Sequence, residues 1–177
     1  MLLHGEKCYL RTFTQEDLPI FKKMQADPEF LTEYNFFGLS GQTSRREQGF
    51  QENGLIGPKY GALVVMTHKE EIAGDISYRQ VHGGPTAEGT YAFNIGIALL
   101  PEHRGKGYGS EAQRLLAEYL FAVFPVRRVD ATTDITNIPE QRALVKAGFT
   151  REGVLRQVQW RMGDWHDMVV YSKLRGE

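Results

Sequence analysis

The sequence predicts an α/β (α+β) fold, a mixed central sheet of about seven strands with helices on both faces, in one domain over residues 1–177. Three observations predict it. From Tyr91 to Leu99 the bulky apolar residues fall at 91, 93, 95 and 97, the period of two of a strand. A turn rich in glycine follows, and then Ala112, Leu115, Leu116, Tyr119, Leu120 and Val123 recur at helical spacing. Around this strand–turn–helix unit lie further strands, a second helix, and a closing hairpin.

Composition sets bounds on what the fold can do. At 177 residues, 24% charged and 41% apolar, the chain suits a globular domain with a sizeable core. The formal net charge of −1 offers no global attraction for nucleic acid. A single cysteine, Cys8, excludes an internal disulfide, and with no signal peptide visible a cytoplasmic location is expected. No apolar run approaches the roughly 18 residues of a membrane span. No metal-ligating set is expected, and no repeat or linker divides the chain.

Taken in order, Glu6 to Thr12 has strand character, and Thr14 is placed to cap a helix through Leu18, Ile20, Phe21 and Met24. Pro28 ends that helix or opens a short one. Phe30, Tyr34, Phe36 and Phe37 cluster, lining a cleft or forming a satellite core. Ser40 to Ser44 caps a polar helical segment running to Asn53-Gly54. Tyr60 to Thr67 and Glu71 to Gln80 form a hairpin, with Gly74 marking a bulge or a close backbone approach. His82 to Pro85 is a loop leading back to the strand at Tyr91. Beyond Pro125, Val126 to Thr133 is a further strand. Asn137 and Glu140 form a capping box for the next helix, which Gly148 stops. Two strands, roughly Phe149 to Arg161 and Trp165 to Lys173, close the chain.

The turn Pro101–Ser110 carries the chemistry. Glycines at 105, 107 and 109 let backbone N–H groups approach a ligand, and the following helix adds unpaired donors and its positive dipole end. Arg104 and Lys106 add charge, so a diphosphate is the best-matched anion. Neither the dinucleotide fingerprint nor the P-loop fits, since the first needs glycine directly after the strand and the second Gly-Lys-Ser/Thr.

The order Arg104-x-x-Gly107-x-Gly109 resembles the acyl-CoA pyrophosphate loop of GNAT N-acetyltransferases. With Leu10-Arg11 and Glu16-Asp17, with Asn137, Arg142, Lys146, Gly148 and Phe149, and with Gly163-Asp164-Trp165 through Tyr171, the resemblance extends to the RimJ/RimL-like branch and covers nearly the whole chain. It implies a GNAT-like single domain transferring acetyl from acetyl-CoA to a primary amine, on a peptide N-terminus or a small molecule, by direct attack. By the same resemblance Ile97, Ala98 and Leu99 would flank the thioester. Gly105, Lys106, Gly107, Tyr108, Gly109 and Ser110, with Arg104, would hold the pyrophosphate. Asn137, Arg142 and Lys146 would reach the cofactor, although a cap alone also explains Asn137. Homodimers are common in the branch, but no residue pattern here signals one.

Three positions depart from the relatives. Asn94 replaces a glutamate two residues before Gly96, Glu140 replaces a serine three residues after Asn137, and Gln159 replaces a carboxylate before the hairpin glycine. The candidates for proton transfer are therefore Glu140, competing with its own capping-box role, and Asn94 on the central strand. Glu88, His82, His103 and His166 are further titratable groups, each read by default as a solvated loop side chain, with His103 shaping the cofactor loop. Trp165 and Asp167 read as hairpin packing and surface polarity. Cys8 has nothing nearby to activate it as a nucleophile. The other function class open at this point is an acyl-CoA-binding sensor that has lost catalysis.

Overall fold

The computed structural model describes residues 2–35, 42–82 and 90–177. Eight strands form one sheet: β1 (Leu2–His4), β2 (Cys8–Thr12), β3 (Tyr60–Thr67), β4 (Ile72–His82), β5 (Tyr91–Leu99), β6 (Arg128–Asp134), β7 (Thr150–Arg161) and β8 (Asp164–Leu174). Five helices accompany them: α1 (Asp17–Gln25), α2 (Pro28–Asn35), α3 (Gln42–Asn53), α4 (Tyr108–Val123) and α5 (Ile138–Lys146). The order across the sheet is β1-β2-β3-β4-β5-β6-β8-β7, antiparallel except where β5 meets β6. That parallel junction follows from the strand–helix–strand crossover through α4.

Strand alternation divides the core between the two faces. Leu63 and Val65 of β3 join Phe93, Ile95, Leu115, Leu116 and Leu144 under α4 and α5. Ala62, Val64 and Met66 point the other way, onto Phe13, Phe21, Phe30 and Leu55 beside α1–α3. The helical stripe is buried at Ala112, Leu115, Leu116 and Leu120, and each such leucine contributes about 1.5–3 kcal/mol.

Glycine marks two constrained places as expected. Gly74 lies beside the bulge of β4, where Val65 pairs with Gly74 but Met66 with Ile72, and a Cβ there would stand 2.1 Å from the Ala98 carbonyl oxygen. Gly148, at φ +85°, ends α5: Phe149 N–H donates to Leu144 O (3.0 Å) and Gly148 N–H to Val145 O (3.1 Å).

The structure corrects other expectations. An eighth strand exists because Leu2–His4 pairs with β2, a segment too short to show periodicity. Thr14 does not cap α1. Glu16 takes the N-cap position without a side-chain bond, and the Asp17 carboxylate instead accepts from Thr14 N–H (2.7 Å) and from Arg11. The polar segment before Gly54 is helical, as α3. Phe36, Phe37 and Glu88 lie outside the described residues, as do Ser40 and Gly41 of the expected cap.

Candidate active site

β5 and β6 part soon after they meet. Their pairing covers only Phe93–Val129, Asn94–Asp130 and Ile95–Ala131, while β5 continues to Leu99 and β6 leaves along β8 to Asp134. On the side facing β6, the β5 edge from Gly96 to Leu99 therefore has no strand partner. Ile97, Ala98 and Leu99 lie along this edge, half-buried. An unpaired strand edge is a template on which an extended ligand with amide groups can add.

At the end of that edge stands the glycine turn. Pro101–His103 make a short 3-10 turn, and Gly105 and Gly107 adopt φ of +73° and +89°, with Gly107 at the N-cap of α4. No acceptor among the described residues takes the N–H groups of Gly105, Lys106, Gly107, Tyr108 or Gly109. Ser110 closes the turn differently, its Oγ donating to Gly107 O at 3.1 Å. Open donors at the positive end of a 16-residue helix form an anion cradle.

Its cations are not distributed as the sequence suggested. Arg104 turns back, Nε donating to Leu99 O (2.9 Å) and Nη2 to Phe30 O (3.0 Å) and Glu29 O (3.2 Å), so it ties the turn to α2. Lys106 is exposed. Lys7, which the sequence did not single out, comes to the cradle from the β1–β2 turn: its Nζ lies 3.0 Å from the place a Gly107 Cβ would take.

Asn137 caps α5, its Oδ1 accepting from Glu140 N–H at 3.3 Å. The reciprocal arm of the capping box is not made. Asn137 N–H donates to Asp134 O (3.0 Å), which leaves the Glu140 carboxyl free of that duty. Burial pushes Glu140 up from 4.5 to about 7, and the neighbouring Gln113 amide of α4 offsets the rise only in part. Gln113 is itself 1% exposed. A carboxyl in the first turn of α5, packed beside Gln113 of α4 and balanced near neutrality, can hold and release a proton at physiological pH. Arg142 and Lys146 are exposed on α5, and Lys146 sits in its last turn, about 13 Å along the axis from Asn137.

The other face of the splay is built differently. Alternation puts Asn94, Gly96 and Ala98 of β5 on the α1–α3 side, together with Asp134 of β6. Asp134 and Arg161 pair there, both buried. Arg161 Nη1 also donates to Gln159 Oε1 (2.5 Å) and Tyr34 O (3.4 Å), with the guanidinium 5.9 Å from the Tyr34 ring centroid. His166 places Nδ1 3.1 Å from Arg161 Nη2 and Nε2 3.1 Å from the Arg161 carbonyl oxygen. Nδ1 also stands 3.2 Å from Asp134 Oδ2, so both ring nitrogens are engaged within this cluster and His166 braces the Asp134–Arg161 pair.

The remaining candidates resolve simply. Cys8 is buried and its thiol is pushed up to about 12 by burial and by Glu111, so it is no nucleophile. His103 is buried, not solvated, and packs on Tyr108 in the glycine turn. His82 is exposed at the end of β4. Trp165 packs edge-on against Trp160, with centroids 5.5 Å apart. Asp167 accepts from Gln157 N–H (2.8 Å) where β7 bulges, a structural duty instead of plain surface polarity. Among the described residues, no helix is long and apolar enough to cross a membrane.

Known proteins resemble the chain in sequence and in fold. The chain is 25% identical over 177 residues to the uncharacterized N-acetyltransferase p20 of Bacillus licheniformis, covering 99% of this chain and 97% of the relative. The fold is that of the spermidine N-acetyltransferase from Vibrio cholerae, solved with CoA and spermine (TM-score 0.78, 16% identity, 96% of each chain). It is also that of Mycobacterium smegmatis RimJ, solved with CoA-disulfide (TM-score 0.75, 18% identity, 94% of this chain and 81% of that one). Residues 7–150 match the acetyltransferase (GNAT) domain, so the chain belongs to the GNAT acetyltransferase family, whose acyl donor is acetyl-CoA.

Proposed function

We propose that this acetyltransferase moves the acetyl group of acetyl-CoA directly to a primary amine, with Glu140 as the acid that protonates the departing sulfur. The carrying observation is the position of Glu140: a carboxyl in the first turn of α5, without the reciprocal capping bond, titrating near 7 beside Gln113 of α4, on the two helices that follow the splayed strands.

Acetyl-CoA supplies an activated acyl group when bound. The open N–H groups from Gly105 to Gly109 fit its diphosphate, and the unpaired β5 edge at Ile97, Ala98 and Leu99 fits the amides of its arm. Asn137 at the N-cap of α5 and exposed Arg142 on the same helix are the further groups offered to the cofactor. As the amine lone pair forms the carbon–nitrogen bond, the carbon–sulfur bond breaks, and sulfur takes the Glu140 proton. The nitrogen gives its extra proton to water, and Glu140 regains one from solvent. Asn94 cannot act as a base, since an amide does not titrate; on the opposite face its side-chain oxygen can accept from the incoming amine or from the water that relays its proton.

Acceptor and donor thus approach from opposite faces of the sheet. The named relatives are N-acetyltransferases, which favours turnover over a sensor that only binds acyl-CoA. One solved neighbour is named for spermidine and others for ribosomal proteins, so polyamines and peptide N-termini are the amines to offer first. The test is the melting temperature with and without acetyl-CoA, followed by an amine panel. Ligand at about 100 times its dissociation constant stabilises by about 2.7 kcal/mol, roughly 5–10 °C for a domain of this size. No shift at millimolar acetyl-CoA, or no turnover with any amine, sinks the proposal.

A further inference from the structure

The β1–β2 turn is clamped onto the first turn of α4. Glu111 Oε1 accepts from Glu6 N–H (2.9 Å), and its Oε2 accepts from Lys7 N–H (2.7 Å) and Cys8 N–H (2.8 Å). Burial alone would raise this carboxyl, but the three amides outweigh it and hold it below the usual glutamate range. Arg114 Nη2 stands 3.7 Å away on its other side. His68 Nε2 adds contacts of 3.2 Å to the carbonyls of Gly5 and Glu6. A Cβ on Gly5 would lie 2.4 Å from the Glu111 carboxyl carbon, so glycine permits the close approach.

The clamp has an electrostatic consequence. A carboxylate in the first turn of α4 would repel an anion bound there, but the charge of Glu111 is occupied by amide donors and Arg114. The same bonds place the Lys7 backbone so that its side chain lies across Gly107, Nζ beside the cradle. Lys7 is exposed, and none of the salt bridges among the described residues uses it. A side chain at 107 would push the ammonium away, a second reason for glycine there besides its φ.

We infer that Lys7 is a diphosphate-binding residue of the acetyl-CoA site and that Glu111 is its positioning residue. The inference rests on the acetyl-CoA reading above. It assigns to Lys7 the ionic contact that Arg104, occupied by three carbonyls, does not supply through its Nε and Nη2.

Calorimetric titration of the intact protein with CoA and with 3′-dephospho-CoA, at about 50 and about 500 mM KCl, tests it. Lys7→Ala is expected to weaken both ligands by about five- to tenfold at low salt, with the gap narrowing at high salt, as for a part-exposed charge-assisted contact. Lys7→Arg is expected to restore binding to within about twofold. The unliganded melting temperature of Lys7→Ala should stay within about 1 °C of the parent, because the anchoring bonds come from the backbone. If Lys7→Ala binds CoA as tightly as the parent, the inference falls while the acetyl-CoA reading stands. If the loss disappears with 3′-dephospho-CoA, Lys7 serves the 3′-phosphate and the diphosphate assignment is overturned. If the parent binds neither ligand, the functional reading fails with it.

Discussion

Arg161 of β7 and Asp134 at the end of β6 form an ion pair whose side chains are 2% and 1% exposed. Burial alone would raise the aspartate; bonds from Thr136 and Arg161 outweigh it and hold the carboxyl below its usual range. Asp134→Asn leaves the Arg161 charge buried and uncompensated, which should cost about 3 kcal/mol and lower Tm by about 6–12 °C. Because the folded value is depressed, the stabilisation is present above the ordinary aspartate value and is lost as pH falls through the folded one. Thermal scans from pH 7 down to about 3 should therefore converge for parent and variant. A constant gap across that range would refute the assignment.

Glu140 predicts the opposite pH trend. Its folded value of about 7 lies above the ordinary 4.5, so between those values the unfolded chain gives up its proton first and stability falls as pH rises. Glu140→Gln removes the titration and should be more stable than the parent at pH 8 by about 2 kcal/mol, a figure discounted for partial solvent access, and no more stable at pH 4. Turnover by the parent should decline above about pH 7 as the acid ionises, and the variant should lose about a hundredfold in kcat. If Glu140→Gln keeps kcat within a few-fold, the catalytic assignment is dead.

These two carboxylates also mark how far the sequence could be read. The strand at Tyr91–Leu99, the glycine turn that opens α4, the Asn137 cap and the Gly148 stop are local signals, each set by neighbours a few residues away, and all four are seen as structural elements. The Asn137–Glu140 motif was legible, but the unmade half of its box was not, because Asn137 N–H is taken by Asp134 O at the end of the preceding strand. Lys7 lies 100 positions from Gly107, and Arg161 is 27 from Asp134 in a strand of different register. Such partners depend on sheet order, which periodicity does not encode. One cue was available for the first: a glycine at position 5 beside a lone lysine in a tight turn.

Glu111 should behave differently from Lys7. Glu111→Ala removes the acceptor of three backbone N–H groups and should cost about 2–3 kcal/mol, read as a fall in urea midpoint at unchanged slope. It should also weaken CoA binding by at least as much as Lys7→Ala, since the turn that carries the ammonium is released. A variant of full stability would mean that the turn is held by β1–β2 pairing alone.

Arg104 offers the sharpest contrast between likeness and geometry. The resemblance of its turn to an acyl-CoA loop implies an anion ligand; the structure gives its Nε and Nη2 to the carbonyls of Leu99, Glu29 and Phe30. A lysine cannot span three carbonyls that a planar guanidinium can. Arg104→Lys should therefore leave CoA affinity within about threefold, because charge is kept near the cradle, yet loosen α2 against the end of β5. Hydrogen exchange should then quicken by at least about tenfold in Glu29–Asn35, the segment that also carries Tyr34 to Arg161, and the KM for the amine should rise more than that for acetyl-CoA. A large loss of CoA affinity with unchanged exchange in α2 would restore Arg104 as a phosphate ligand and leave the tether as incidental.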